Sequence, residues 1–305
     1  TIVFFSYSDK LFFCSCLYKL FQKISLYTNA AYLFPMDDFL TSEAIAISPD
    51  LLITRLETLK AIQNDKPLIV ITHLMGYLHF LPNKKIYKDN ILTISTDMEI
   101  SHKALIEKLQ LLGYKRETIV TKTGELGVRG FIIDLFPLGE SHPIRLEFFG
   151  DTVESIRTFD ENTQRSLDHL NKVTIYPCTE FLVDTPLDED EPTKPLDNYI
   201  KVDSIQDYLT DSVTIYKDPS SIKTVYENIV TDVKNYTEEK NIKTTRFFFP
   251  YKEKYQEDAI SYFSIDSAIE SKKEIISFNT KNPPQFYEDT ESIEKYLSES
   301  LMHSK

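Results

Sequence analysis

Apolar residues in the first 90 positions alternate between short continuous runs and helical spacing. The runs at 1–6, Tyr32–Phe34 and 67–71 predict buried strands. Between them, Lys10–Ile24 places leucines at helical spacing. Ser48-Pro49-Asp50 is typical of a helix start, because serine caps, proline fits the first turn and aspartate complements the helix dipole. This alternation predicts an α/β domain with parallel strands.

The pattern changes over residues 91–183. Six of the seven glycines lie between Gly113 and Gly150, and glycine permits the positive φ that turns require. A helix is predicted over Ser101–Leu112, with Gly113 at its end. Short strands are predicted at Thr118–Thr121, Phe131–Phe136, Ile144–Phe149, Thr152–Phe159 and Val173–Tyr176. Their close spacing predicts a compact antiparallel α+β domain.

An acidic segment follows at residues 184–199. It contains three prolines and a run of four acidic residues, so we predict a linker that buries no apolar surface. Over residues 200–305 the α/β pattern returns. The predicted elements are strands Val213–Tyr216, Arg246–Pro250 and Glu274–Phe278 and helices Ser220–Tyr236 and Glu291–Leu301. We therefore predict an α/β domain in two parts, 1–90 and 200–305, interrupted by an inserted domain at 91–183.

Composition and charge narrow the function classes. The chain is 42% hydrophobic and 27% charged, which is an ordinary globular composition. Its net charge is −13, and residues 184–305 hold 15 basic and 25 acidic residues. Because tight nucleic-acid binding needs several Lys or Arg against phosphates, we expect weak or no direct DNA binding.

The compartment is predicted from what the sequence does not contain. No apolar run has the length of a membrane span, so no membrane contact is expected. Cys14, Cys16 and Cys178 do not form a disulfide pattern. We expect a cytoplasmic protein, and the absence of an initiator Met indicates a piece of a longer one.

Common catalytic signatures are missing from the sequence. It has no Gly-x-x-x-x-Gly-Lys-Ser/Thr phosphate loop, no Gly-x-Ser-x-Gly elbow and no His-Glu-x-x-His zinc motif. Asp37-Asp38 either serves metal or acid–base chemistry or solvates the turn after Pro35, which is the commoner role of surface acids. We expect no catalysis, no cofactor and no metal in this chain.

The predicted strand Ile144–Phe149 departs from a purely buried pattern. Alternation places Arg145, Glu147 and Phe149 on the face opposite the core. Arg129 lies at the turn before the neighbouring strand. An exposed aromatic residue beside arginines is the composition of a protein–protein hot spot. The alternative is that Phe149 packs under a loop and that Arg145 pairs with Glu147 or another neighbour.

These residues also carry a family resemblance. The segments Val128–Pro137, Ile144–Asp160 and Thr163–Ser166 together resemble the UvrB-homology module that the UvrB repair helicase shares with transcription-repair coupling factors. Further similarity to the first domain of the coupling factors lies in Phe34-Pro35, Ser48-Pro49-Asp50 and Arg55–Leu59. Two departures from UvrB favour the coupling factors. UvrB usually reads Thr-Gly at Thr163–Ser166, and it inserts a tyrosine-rich DNA-clamping hairpin where this chain has only Gly76–Asn90.

The resemblance implies a fold and a function. It implies a helicase-like α/β domain without a working nucleotide site and an inserted domain that binds UvrA through Arg129, Arg145 and Phe149. Such a module is not an enzyme and recruits UvrA to RNA polymerase stalled at DNA damage, in transcription-coupled nucleotide excision repair. The polymerase-binding domain and the ATP- and Mg-dependent DNA translocase lie downstream. The implied partners are UvrA and the protein's own motor domains, with RNA polymerase reached only through the parent protein.

Two alternatives to this function stay open. In the first alternative, the chain is a fragment of a UvrB-type ATP-dependent helicase. In the second, it is an autoinhibitory clamp on the motor domains. The docking hypothesis itself depends on one geometric expectation, that the ring of Phe149 and the guanidinium groups of Arg129 and Arg145 project from the same outward face.

Overall fold

A computed structural model describes residues 2–6, 13–36, 48–183, 200–209, 211–217, 219–241, 247–251, 260–262, 276, 293–296 and 298. Contacts divide the chain into one unit at 1–264 and another at 265–305. The helices are α1 (Phe13–Ser25), α2 (Pro49–Ile62), α3 (Leu74–Leu78), α4 (Lys84–Asp89), α5 (His102–Leu111), α6 (Ile205–Tyr208) and α7 (Pro219–Lys240). None of these described helices has both the length and the apolar character that a membrane span requires.

The first sheet has five parallel strands from two distant parts of the chain. They are β1 (Ile2–Ser6), β2 (Ala31–Phe34), β3 (Ile69–His73), β14 (Val213–Lys217) and β15 (Ile260–Tyr262). Their order is β15-β14-β1-β3-β2, and β1 pairs in parallel with both β3 and β14. Strands from before and after the middle of the chain therefore share one sheet.

Helices cover both faces of this sheet because its strands bury residues on both sides. Leu33 and Ile71 pack with Leu17 of α1 on one face. The next residue in β2, Phe34, joins the main core together with Leu56 of α2. This arrangement confirms the α/β class, while the helicase-like character of an interrupted domain stays a prediction.

The second sheet is formed by the middle of the chain. Its strands are β6 (Lys115–Arg116), β7 (Glu125–Arg129), β8 (Ile132–Leu135), β9 (Ile144–Phe149), β10 (Thr152–Phe159) and β11 (Ser166–Leu170). They lie in the order β11-β10-β9-β8-β7-β6, and every pair except β6–β7 is antiparallel. One face packs into the main core against Leu105 and Leu109 of α5. The predicted antiparallel layer and its helix are confirmed.

Two predicted strands differ from the structure, and a third is not covered by it. Thr118–Thr121 is wrong, because these residues form a loop in which the backbone N–H groups of Thr121 and Lys122 donate to the carboxylate of Glu125 at 2.7 and 2.9 Å. Arg246–Pro250 is wrong over its described residues, 247–250, which make only an isolated bridge. Glu274–Phe278 lies outside the described residues except for Ile276. The linker 184–199 also lies outside them.

Two short antiparallel pairs flank the middle of the chain. β5 (Leu92–Ser95) pairs with β12 (Lys172–Ile175), and β4 (Leu81–Pro82) pairs with β13 (Val202–Asp203). Each pair joins a strand that precedes the six-stranded sheet to one that follows it. The predicted strand at Val173–Tyr176 is thus confirmed, but it lies outside that sheet. The boundaries proposed for the domains stay a prediction.

A buried ion pair connects α2 to the segment that follows β12. Arg55 donates from Nε and Nη2 to the two carboxylate oxygens of Glu180, at 2.8 and 2.9 Å. Its Nη1 donates to the carbonyl oxygen of Pro35 at 3.1 Å, and His79 Nε2 lies 3.0 Å from the same carboxylate. Burial alone raises the pKa of Glu180, but the charge of Arg55 and the contact with His79 hold it well below its usual range.

Candidate functional site

The outward face of the six-stranded sheet carries the residues that sequence analysis selected. In β9 the side chains alternate strictly, so that Ile144, Leu146 and Phe148 are buried on the core face. Phe149 points the other way and is 79% exposed. The ring is therefore available at the surface and does not pack under a loop.

Arg129 and Arg145 meet on a carboxylate that the sequence analysis did not select. Arg145 donates from Nε to Oδ1 of Asp134 at 2.6 Å and from Nη2 to Oδ2 at 2.8 Å. Arg129 donates from Nη2 to Oδ2 of Asp134 at 2.6 Å. Asp134 lies directly opposite Arg145 in the β8–β9 register. We call Arg129, Asp134, Arg145 and Phe149 the outer patch.

The two arginines differ in how much of each reaches solvent. The side chain of Arg129 is 54% exposed, whereas that of Arg145 is 16% exposed and that of Asp134 only 2%. The guanidinium carbon of Arg145 also lies 4.7 Å from the ring centre of Phe159. The hydrogen bonds to Asp134 raise the pKa of Arg145. Arg145 is thus held within the sheet surface, and Arg129 is the more accessible cation.

Glu147 takes part in a separate network on the same face. Its carboxylate accepts a hydrogen bond from the hydroxyl of Ser155 at 2.7 Å and pairs with Arg157. The Ser155 hydrogen bond and the Arg157 contact lower the pKa of Glu147. Arg145 therefore pairs with a neighbour, as the alternative predicted, and that neighbour is Asp134 and not Glu147.

Only part of the outward face is open. Val120, Phe136 and Phe159 form a small buried cluster on it. Gly127 allows the close approach, since a Cβ atom there would lie 3.1 Å from Val120 Cγ2. The opposite end of the face, where Arg129 and Phe149 lie, is not covered by this cluster. The open end is the part of the sheet that a partner can reach.

Strand register places the outer patch within one contiguous area. Arg129 pairs with Ile132 and Ile132 pairs with Glu147, so these three form one row across β7, β8 and β9. Phe149 lies one row further along β9, and Asp134 with Arg145 lie one row back. Adjacent strands are about 4.8 Å apart and alternate residues about 6.8 Å apart. The expected common outward face is therefore present.

A second exposed aromatic residue at this end was missed by sequence reasoning. Phe131 follows Gly130 in the β7–β8 turn and is 62% exposed. Its carbonyl oxygen accepts a hydrogen bond from the backbone N–H of Phe148 at 2.9 Å. Gly130 and Gly150 both have positive φ, and a Cβ atom at either would meet open space. Phe149 is therefore uncovered at its hairpin end, whereas the ring of Phe131 packs edge-on against His102, with the ring centres 6.0 Å apart.

The described residues bear on the sequence-based expectations for metal and nucleophilic chemistry. No group of three His, Cys, Asp or Glu side chains that could hold a metal ion occurs there. Asp37 and Asp38 lie outside the described residues. Cys178 is buried, and burial raises the pKa of its thiol to about 11, so this cysteine is not an activated nucleophile. The expectation of no cofactor stays a prediction.

Comparison with known proteins connects the outer patch to a family. Residues 92–181, which include the whole patch, match the family model for the UvrB interaction domain. The chain is 35% identical over 173 residues to the transcription-repair-coupling factor of Staphylococcus epidermidis, covering 57% of this chain and 14% of that protein. It is 37% identical over 153 residues to the factor of Staphylococcus aureus, covering 50% of this chain and 13% of that one. The family resemblance predicted from the sequence is confirmed, and the match spans about a seventh of each relative.

Proposed function

We propose that the chain is the UvrA-docking module of a transcription-repair-coupling factor, because residues 92–181 match the UvrB interaction domain and the chain is similar to two such factors. The module recruits UvrA and does not itself catalyse a reaction. By the same proposal, the parent protein carries a downstream ATP- and Mg-dependent translocase and acts at RNA polymerase stalled at DNA damage. The module contacts the motor domains, and the protein is cytoplasmic.

The outer patch is the observation that carries this proposal. It combines a large exposed ring with an accessible guanidinium, and aromatic residues with arginine dominate the binding energy of most protein interfaces. The ring supplies apolar area to be buried, and the guanidinium supplies directional, charge-assisted hydrogen bonds. The patch lies on regular strands, so little conformational entropy is lost when a partner binds.

Phe149→Ala is expected to weaken UvrA binding about tenfold, because it removes the exposed ring of the outer patch. Arg129→Ala is expected to weaken binding to a similar extent. The measurement is titration of purified UvrA with the 305-residue chain by calorimetry. Tyr27→Ala is the matched control, since Tyr27 is 90% exposed and lies outside the matched domain. Unchanged affinity in both patch variants would overturn the docking assignment.

The non-catalytic part of the proposal has its own test. The chain is expected not to bind ATP, because no phosphate-binding loop occurs in its sequence. Titration with a fluorescent ATP analogue in the presence of Mg²⁺ measures this. Saturable binding at micromolar nucleotide, competed by ATP, would instead favour a helicase fragment.

A further inference from the structure

We propose that Asp134 is a positioning residue of the outer patch, which fixes both guanidinium groups so that the surface offers a partner one oriented positive charge at Arg129. This inference rests on the proposed docking function and names the chemistry of the partner. Asp134 itself is 2% exposed and therefore does not contact a partner directly.

The geometry around Asp134 supports this role. Three N–H groups, two from Arg145 and one from Arg129, converge on its two oxygens within 2.8 Å. A bidentate guanidinium–carboxylate pair fixes the plane as well as the position of the arginine. Gly127 on the adjacent strand keeps the space open, since a Cβ atom there would lie 3.5 Å from the Asp134 Cβ.

The charges of the three side chains define what the partner presents. Two arginines and one aspartate leave a net charge of one positive unit. Arg145 is largely enclosed and uses Nε and Nη2 on Asp134, whereas Arg129 uses only Nη2 there. The Nε and Nη1 groups of Arg129 therefore remain for a partner. We infer that the partner places a single carboxylate opposite Arg129 and an apolar recess opposite Phe149.

Asp134→Asn separates positioning from simple charge attraction, because the two predict opposite results. The substitution adds one positive charge to the surface, so charge alone predicts tighter binding to an acidic partner. Positioning predicts weaker binding, because the amide N–H₂ is itself a donor and only the amide oxygen of Asn can accept hydrogen bonds from the guanidinium groups. We expect UvrA affinity to fall about tenfold.

The experiment measures UvrA affinity of the full 305-residue chain by calorimetry for wild type, Asp134→Asn and Asp134→Glu. Asp134→Glu keeps the charge and moves the carboxylate by one methylene, so it also weakens binding if position matters. The matched control is Asp203→Asn, a carboxylate on β13 that accepts from Asn83 and from the Lys84 backbone. Circular dichroism checks that each variant is folded.

A second readout does not depend on UvrA. In the wild type, the Arg145 Nε–H is hydrogen-bonded to Asp134 and largely enclosed, so we expect this proton to exchange slowly with water in NMR spectra. Asp134→Asn is expected to lose that protection. Slow exchange in the wild type with no UvrA binding would overturn the proposed function, and this inference with it. Equal or tighter UvrA binding by Asp134→Asn, with the wild type binding normally, would overturn the positioning role alone.

Discussion

Arg55→Ala is expected to lower the free energy of unfolding by about 3–5 kcal/mol, the usual effect of breaking a buried ion pair by removing one partner. Arg55 and Glu180 are both buried, and three guanidinium nitrogens of Arg55 are hydrogen-bonded. Without Arg55, the Glu180 carboxylate remains in the interior and keeps His79 as its one ion-pair partner among the described residues. Urea denaturation of the 305-residue chain, followed by circular dichroism at pH 7.5, measures the change.

A matched control separates this burial effect from ordinary ion pairing. Lys103→Ala removes an exposed pair with Glu107 at 3.8 Å and is expected to cost less than about 0.5 kcal/mol. The double variant Arg55→Met with Glu180→Leu should recover much of the lost stability, because an apolar pair leaves no isolated charge. A loss below about 1 kcal/mol in Arg55→Ala would contradict the structural role assigned to the pair.

Acidification from pH 7 to pH 5 is expected to destabilise the chain by about 2 kcal/mol through His73 alone. Burial lowers the pKa of His73 to about 3, and its Nε2 accepts a hydrogen bond from the backbone N–H of Met36 at 2.9 Å. Below pH 6.5 the unfolded chain binds a proton at this histidine, whereas the folded chain does not. Stability is therefore fully present above that pH and is lost as the pH falls towards 3.

Urea denaturation at pH 7, 6 and 5 measures this dependence. His73→Gln should be less stable at pH 7 but should lose less stability on acidification. His169→Gln, at an exposed histidine in β11, should keep the wild-type pH dependence. Glu180 does not interfere, because its depressed pKa makes its contribution fall only below about pH 4.3. Parallel pH profiles for wild type and His73→Gln would show that His73 is not the responsible group.

Much of the fold follows from local pattern. The alternation in Ile144–Phe149 correctly separates core and outward faces, and the helix end at Gly113 is confirmed by its φ of +88°. Partners of the strands are not local information, and the pairing of β12 with β5 instead of the main sheet could not be predicted. The loop at Thr118–Thr121 was misjudged because Val120 is buried by packing against Phe136, without strand pairing.

The sequence was sufficient to predict the outward-facing residues of the candidate site, but not the carboxylate that pairs with them. Period-two alternation identified Arg145 and Phe149 as outward, and composition indicated a binding surface. It missed Asp134, although one signal was present: a lone acid in the apolar run Phe131–Phe136. Its meaning depends on the β8–β9 register, which places it opposite Arg145. Register is set by the whole sheet, so a single strand does not reveal it.

The two short strand pairs that flank the middle of the chain have a consequence for the order of folding. Bringing β14 beside β1 requires closing a very long loop, and the entropy of that closure opposes early formation of the parallel sheet. Once β5–β12 and β4–β13 are paired, the chain before the six-stranded sheet is held next to the chain after it, and the loop left to close between β1 and β14 is effectively shorter. We therefore expect pairing within the middle segment to precede and speed the pairing of β14 with β1, which lie far apart in the sequence.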